Sequence, residues 1–499
     1  MILSALMAIP TLGGISVLLT GKNEKASYKI GCFFVLLTAI LSCFLVTGFD
    51  VKNPGMQFLE HYAWFSHYGM SYKIGVDGIS MPLIVLTAWI NVVVIMTTKH
   101  LVSKNIPQYM AAFLLLEAMT FGLFSALDGI LFYLFWEGTL IPMYLCIGVW
   151  GGENRNYAAV KFFIYTFFGS TLMLLALIYL GSLANTFDLL AWAKLPIALT
   201  AQKWLFFAFL IGFSIKVPMW PVHTWLPDAH TEAPTAGSVI LAALMLKVGA
   251  YGFFRVSMPI LPDACYSFAW IMVLLSLIAV VYIGFVALAQ KDIKRLIAYS
   301  SVAHMGFVTL GCFLIYSIPR GDGASIQMAL EGAYTQMISH GFGSGALFLA
   351  FGLLYERYHS REIASYGGIA NVMPIFTAFF VLFAFSNVGL PGTSGFVGEF
   401  MVIMASMSSS FWVAFAAAIT VIVSAGYTLT MVRNVFYGPI ADSSLSDLKD
   451  INCSEKFWLS FLAIGVLVLG FFPELMLQYV HSSSHSLALA ALTPKVPVY

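Results

Sequence analysis

The chain has 499 residues, 60% of them hydrophobic and 9% charged, with a formal net charge of +1 at pH 7. Soluble domains carry about 25% charged residues, so this composition excludes a water-solvated globule and describes an all-α polytopic membrane protein. The near-zero charge offers no basic field for nucleic acid. The six cysteines contain no CxxC pair, which leaves no disulfide framework, zinc spacing or iron–sulfur spacing.

Residues 1–20 are apolar without a basic n-region or an A-x-A cleavage site, and read as a first membrane span rather than a signal peptide. Counting apolar runs of about 20 residues gives about 14 transmembrane helices. Their expected limits are 1–20, 29–49, 77–97, 108–126, 129–150, 158–183, 204–230, 235–256, 266–289, 293–316, 325–355, 370–407, 411–437 and 456–478. The seventh and twelfth are too long and carry Pro/Gly breaks, so each is expected as two half-helices. The eleventh is expected to bend at the glycine-rich stretch from His340 to Gly345. Loops after odd-numbered spans hold 15 Lys and Arg, among them Lys22 and Lys99, against seven on the other side. The bias puts the odd loops in the cytoplasm and both termini outside.

The two broken spans stand five apart. A unit of spans 4–8 and a unit of spans 9–13 must therefore enter the membrane in opposite senses, which is the inverted-repeat plan of transporters. The expected organisation is a three-helix region at 1–107, a first five-helix repeat at 108–256 and a second, inverted repeat at 257–437. A cytoplasmic loop, a final helix and a tail fill 438–499.

Ionisable residues inside the spans carry the functional reading. Lys216 lies in the apolar stretch from Trp204 to Trp220, two residues before Pro218. Glu137 is mid-span in Phe135-Trp136-Glu137, Lys247 is central to span eight, and Glu399 lies beyond the break Asn387-Val388-Gly389-Leu390-Pro391-Gly392-Thr393. Charges at membrane depth are costly and mark ion or proton pathways; the alternative is a structural pair that only orients helices. At ~4 Å and an effective dielectric of ~20, a Glu137–Lys216 pair is worth ~4 kcal/mol. Moving one charge through ~180 mV costs about the same, at ~2.3 kcal/mol per 100 mV. Pairing and unpairing such a couple is thus of the right size to load and release a proton. Glu117 is a secondary candidate, equally readable as a helix–helix contact. His223, His304 and His340 could pass protons between Lys247 and Glu399 as neutral imidazoles, or simply bond across helices. No repeated histidine pair supports haem ligation, and no Walker or GxGxxG motif supports a nucleotide site.

Several motifs then belong together: Asp77-Gly78-Ile79-Ser80, Phe135-Trp136-Glu137, Lys216-Val217-Pro218 running on through His223-Thr224-Trp225-Leu226-Pro227-Asp228-Ala229-His230, Ser300-Ser301-Val302-Ala303-His304-Met305-Gly306, and Gly395-Phe396-Val397-Gly398-Glu399-Phe400. The chain closely resembles the M-type antiporter-like membrane subunits of bacterial NADH:quinone oxidoreductase, respiratory complex I. The likeness runs over nearly the whole chain.

The resemblance implies a proton-translocating subunit of the bacterial inner membrane, with other subunits oxidising NADH and reducing quinone. By motif, Lys216 resembles the pathway lysine and Glu137 the glutamate that modulates it. Lys247 resembles the central relay lysine and Glu399 the terminal group. NADH, flavin, iron–sulfur clusters and quinone are implied for the complex and none for this chain. The implied partners are two sister antiporter-like subunits, small membrane subunits and the bilayer. The alternative is a subunit of a multi-chain cation/proton antiporter, where a lysine is expected at position 399. A purely structural anchor is a third reading.

Overall fold

The computed structural model describes residues 1–21, 23–102 and 104–496, without the side chains of 98–101. Lys22 and the side chain of Lys99, both counted in the charge bias, lie outside the described residues. The described chain is mostly helix, and eleven of its helices are long and apolar enough to cross a bilayer. It is a multi-pass membrane protein.

In chain order the helices that matter here are α1 (Ile2–Leu19), α2 (Glu24–Gly48), α3 (Met81–Leu101), α4 (Ile106–Ser125), α5 (Gly129–Trp150) and α6 (Arg155–Ala184). Next come α7 (Leu199–Lys216), α8 (Trp225–Glu232), α9 (Thr235–Ile260), α10 (Pro262–Leu288), α11 (Ile293–Leu314) and α12 (Gly323–Tyr358). The last are α13 (Pro374–Val388), α14 (Ser394–Ser409), α15 (Phe411–Phe436), α16 (Cys453–Phe471) and α17 (Glu474–Leu492). Both expected breaks are present: one separates α7 from α8, the other α13 from α14. No break interrupts the helix at His340–Gly345: α12 runs continuously for 36 residues. The glycines there instead let neighbours approach; a Cβ on Gly345 would lie 3.5 Å from that of Ala243.

Two further elements escape an apolar-run reading. Residues between α2 and α3 form an antiparallel hairpin, β1 (Gln57–Phe65) with β2 (Met70–Val76), turning at Gly69 with φ +67°. Polar and charged residues interrupt its apolar alternation, which hides it. The tail after α16 is the amphipathic helix α17, whose serines and histidines keep it below a membrane-span signal.

Local chemistry sets the helix ends. Asp128, Asp292 and Asp322 each accept a backbone N–H one turn on, at the starts of α5, α11 and α12. Asn452 and Glu455 form a reciprocal capping box on α16.

The chain divides into two compact units. The first comprises Met1–Val217, Leu244–Trp270 and Gln478–Tyr499. There Asp77 accepts from Ser80 N–H at 3.0 Å in the turn that leads into α3, and pairs with Arg255 at 2.6 Å. Gly78 is required at its position, since a Cβ would fall 1.9 Å from the Tyr479 carbonyl oxygen. The second unit comprises Pro218–Ala243 and Ile271–Leu477, with an apolar core of Val273, Val280, Phe307, Leu310, Val402 and Ala417. Burial is uneven: 94% of the most apolar stretch of α9, α11 and α12 is buried, against 28% for α16. The polar membrane residues sit mostly on the buried helices.

Candidate functional site

In the first unit Lys216 is the last residue of α7, because Pro218 cannot donate the next helical bond. An amine there also lies at the negative, carbonyl end of the helix. Lys216 is 1% exposed, and its Nζ makes no hydrogen bond among the described residues. It stands instead 5.6 Å from the centre of the Trp136 ring and 5.7 Å from that of Phe162, a cation–π arrangement. Trp136 immediately precedes Glu137 on α5. The Glu137 carboxylate interacts with Ser170 of α6 and Tyr133 one turn earlier, and attracts Lys216 electrostatically. The direct contact expected between Glu137 and Lys216 is therefore not made; two aromatic faces take that place around the amine.

Lys247 is fully buried on α9. π-helical segments, Leu241–Met245 and Phe253–Ser257, flank its turn, a distortion that recurs at functional sites. Gly249, two residues on, lets this stretch lie against the end of α7. A Cβ there would come within 2.8 Å of Phe213 O, Lys216 Cβ and Val217 Cγ2. The two lysines are thus carried on backbones in contact. Glu117, on α4, is brought to neither of them by any hydrogen bond: it is fully buried, and neither carboxylate oxygen has a hydrogen-bond partner among the described residues.

In the second unit Glu399 sits in the second turn of α14 and is 3% exposed. Its Oε1 lies 2.6 Å from His304 Nδ1 on α11 and accepts from Gln336 Nε2 on α12 at 2.9 Å. His304 Nε2 lies 3.1 Å from Asn387 Oδ1 on α13. Asn387 in turn donates through Nδ2 to Thr428 Oγ1 on α15 at 3.2 Å and accepts from Ser300 Oγ at 3.4 Å. Asn387 Oδ1 can only accept, so His304 Nε2 carries a proton. One further proton lies between Nδ1 and Glu399. The neutral imidazole expected at 304 therefore requires a protonated Glu399, and an ionised Glu399 requires an imidazolium.

Glycines make this cluster possible. A Cβ on Gly395 would fall 1.9 Å from the Ser386 carbonyl oxygen, so the halves of the broken span can approach this closely only with glycine at that position. One on Gly398 would lie 2.6 Å from Gln336 N, which sets Glu399 against Gln336. Gly389, at φ +79°, is the left-handed residue that ends α13. The His340 ring lies 5.9 Å from that of His304, tilted by 58°, and lines a polar cavity of about 10 Å³ with Gln336, Ser339 and Asn387. That is near the lower limit for one water. His223 lies in the turn between α7 and α8, 6.3 Å ring to ring from Tyr299, and bonds to neither Glu399 nor His304. Sequence reading passed over Gln336 as a bonding residue; its signal is the spacing of four to His340, which puts both on one helical face. Among the described residues no group of three or more His, Cys, Asp or Glu is placed to hold a metal ion.

The model of the family "NADH:quinone oxidoreductase/Mrp antiporter, TM" matches residues 126–424, and that of "NADH-ubiquinone oxidoreductase chain 4, amino terminus" matches 6–124. NADH-quinone oxidoreductase subunit M of Rhodobacter capsulatus is 48% identical over 461 residues, 90% of this chain and 88% of that protein. The subunit M of Rickettsia prowazekii is 42% identical, over 98% of this chain and 99% of its own. Among structures, a chain of respiratory complex I from Thermus thermophilus superposes with a TM-score of 0.89 at 29% identity, covering 99% of this chain and 100% of that one. A chain of the Mrp complex from a Dietzia species shares the fold, with a TM-score of 0.85 at 18% identity over 98% and 99% of the two chains.

Proposed function

The chain belongs to the NADH:quinone oxidoreductase/Mrp antiporter family of membrane subunits, and from that membership we propose that it is a proton-translocating subunit in the membrane arm of an NADH:quinone oxidoreductase. NADH, flavin, iron–sulfur clusters and quinone belong to the other subunits of that complex. The partners of this chain are sister antiporter-like subunits, small membrane subunits and lipid. Its place is the bacterial inner membrane, with both termini periplasmic, which the excess of Lys and Arg on the odd loops supports. Residues 108–256 and 257–437 act as inverted repeats, each with a broken helix as its fourth span.

Lys216 and Lys247 are the proton-holding amines of the first unit, and Glu137 is the countercharge that biases Lys216. A small movement of α5 or α7 changes the distance from the Glu137 carboxylate to the amine and with it the amine's affinity for a proton. In the second unit the proton between His304 Nδ1 and Glu399 Oε1 can reside on either atom, which makes the pair a terminal acid–base station. Glu117, His223 and His340 are secondary stations.

The observation that carries this reading is the Lys216 amine: buried, without a hydrogen bond among the described residues, and near a carboxylate it does not contact. A purely structural lysine would be bonded to a partner. The test is Lys216→Ala in the intact complex, scored by NADH-driven acidification of membrane vesicles. Assembled complex with pumping strongly reduced is expected; assembled complex with normal pumping would reject the relay.

A further inference from the structure

A second cavity lies in the second unit, far larger than the polar pocket beside His304. It measures about 980 Å³ and opens where the end of α10, the start of α11, the loop after α12 and the end of α15 come together. Helix ends mark the depth at which a bilayer passes from hydrocarbon to headgroups, and the loops here belong to the Lys- and Arg-rich set. The apolar wall includes Leu288 and Met431; Leu288 is 45% exposed and continues the lipid-facing side of α10. Lys291, Arg433 and Tyr437 stand on the polar part of the lining.

The two cations differ from their neighbours. Arg295 pairs with Asp228 at 2.5 Å, Arg357 with Glu455 at 2.7 Å, and Arg361 with Glu232 at 3.4 Å. Lys294 donates to the Ala233 carbonyl at 2.7 Å. Arg433 donates only to the neutral side chain of its neighbour Asn434, and neither it nor Lys291 has a carboxylate partner among the described residues. Glu362 stands on the same lining. Two cations against one carboxylate leave the wall at +1.

We infer that this cavity binds an anionic glycerophospholipid, its phosphate between Lys291 and Arg433 and its upper acyl chain along Leu288 and Met431. The volume fits a headgroup with the first part of a chain. Basic pockets between membrane helices on the cytoplasmic side select anionic headgroups by this chemistry. Tyr437, 51% exposed, has the amphipathic ring that settles at the headgroup level. The inner wall includes Tyr427, next in the chain to Thr428, which accepts from Asn387, so an occupied cavity would lie directly behind that cluster. The binding claim does not depend on the proton-pumping proposal.

The test uses the intact complex in nanodiscs of phosphatidylcholine doped with phosphatidylglycerol, washed and assayed by mass spectrometry for retained phosphatidylglycerol. Replacing Lys291 and Arg433 together by Gln should weaken retention about thirtyfold, the combined effect of two juxtamembrane cations. Exchanging them for each other, Lys291→Arg with Arg433→Lys, should preserve it. Thr430→Trp, on an exposed and cavity-lining position, should displace the lipid with both cations intact. It also keeps the test decisive if the double variant fails to assemble. Unchanged retention in the double Gln variant or in Thr430→Trp would overturn the site. So would displacement of the lipid by inorganic phosphate alone, which would mark a simple anion site.

Discussion

The two units solve the problem of a buried ionisable group in opposite ways. Around Lys216 the first unit leaves the amine without a hydrogen bond among the described residues and sets it against two ring faces, keeping Glu137 near but out of contact. Around Glu399 the second unit builds a network across four further helices in which His304, Gln336, Asn387, Ser300 and Thr428 all have partners. An amine held by π-faces has few bonds to break when its charge changes. A carboxylate bonded to both a histidine and a glutamine changes protonation only with its neighbours. The first arrangement suits a group that responds; the second suits one that is held until a proton is handed over.

The comparison breaks first at Lys216. Replacing it with Arg keeps a cation over Trp136 and Phe162 but removes the ability to release a proton, since guanidinium stays charged. Pumping in vesicles should fall at least ~100-fold, the lower end of what a positioned acid–base group contributes, while the complex still assembles. If Arg pumped like Lys, the site would need only a fixed charge. Glu399→Gln probes the other side. It leaves His304 Nδ1 without its charged partner, and losing one charge-assisted bond of ~1.5 kcal/mol predicts about a tenfold fall in pumping. A Glu399→Gln complex that pumps normally would reduce the network to packing.

Much of this was legible in the sequence because cost is legible there. A lysine among Phe, Leu and Ile, or a Pro-Gly pair within an apolar run, stands out against any membrane background, and Lys216, Lys247, Glu399 and both helix breaks were found that way. Neutral partners do not stand out. Gln336, Thr428 and Ser300 look like ordinary small or polar residues until folding brings α11, α12, α13 and α15 around one carboxylate. The spacing of Glu137 from Lys216 could not be read either: 79 positions separate them in the chain, and what fills the gap is aromatic. The hairpin and α17 were lost because an apolar-run criterion detects membrane spans and little else.

Two smaller effects sharpen the contrast. Gly395→Ala puts a methyl where the Ser386 carbonyl lies, so the halves of the broken span must part. Overpacking of this kind costs ~1–3 kcal/mol, and the thermal midpoint of the complex should drop. An unchanged midpoint would mean that the junction is loose and does not set Glu399. His304→Ala removes one station of a network that Gln336 still bonds to Glu399, so pumping should fall by less than in Glu399→Gln. An equal or greater loss would make the imidazole, not the carboxylate, the principal acid.

Glu117 gives the mildest expected effect on pumping. Its two oxygens are buried without a hydrogen bond among the described residues, and an unsatisfied polar group costs a folded protein ~1–3 kcal/mol. Glu117→Leu, close in volume, should therefore raise the thermal midpoint rather than lower it. A residue kept only for packing would then show greater stability with no functional change. If Glu117 is a secondary proton station of the first unit, the same variant should lose part of its pumping while it gains stability. The two readouts move in opposite directions only if a costly carboxyl is being used, and full pumping in a stabilised Glu117→Leu complex would remove it from the pathway.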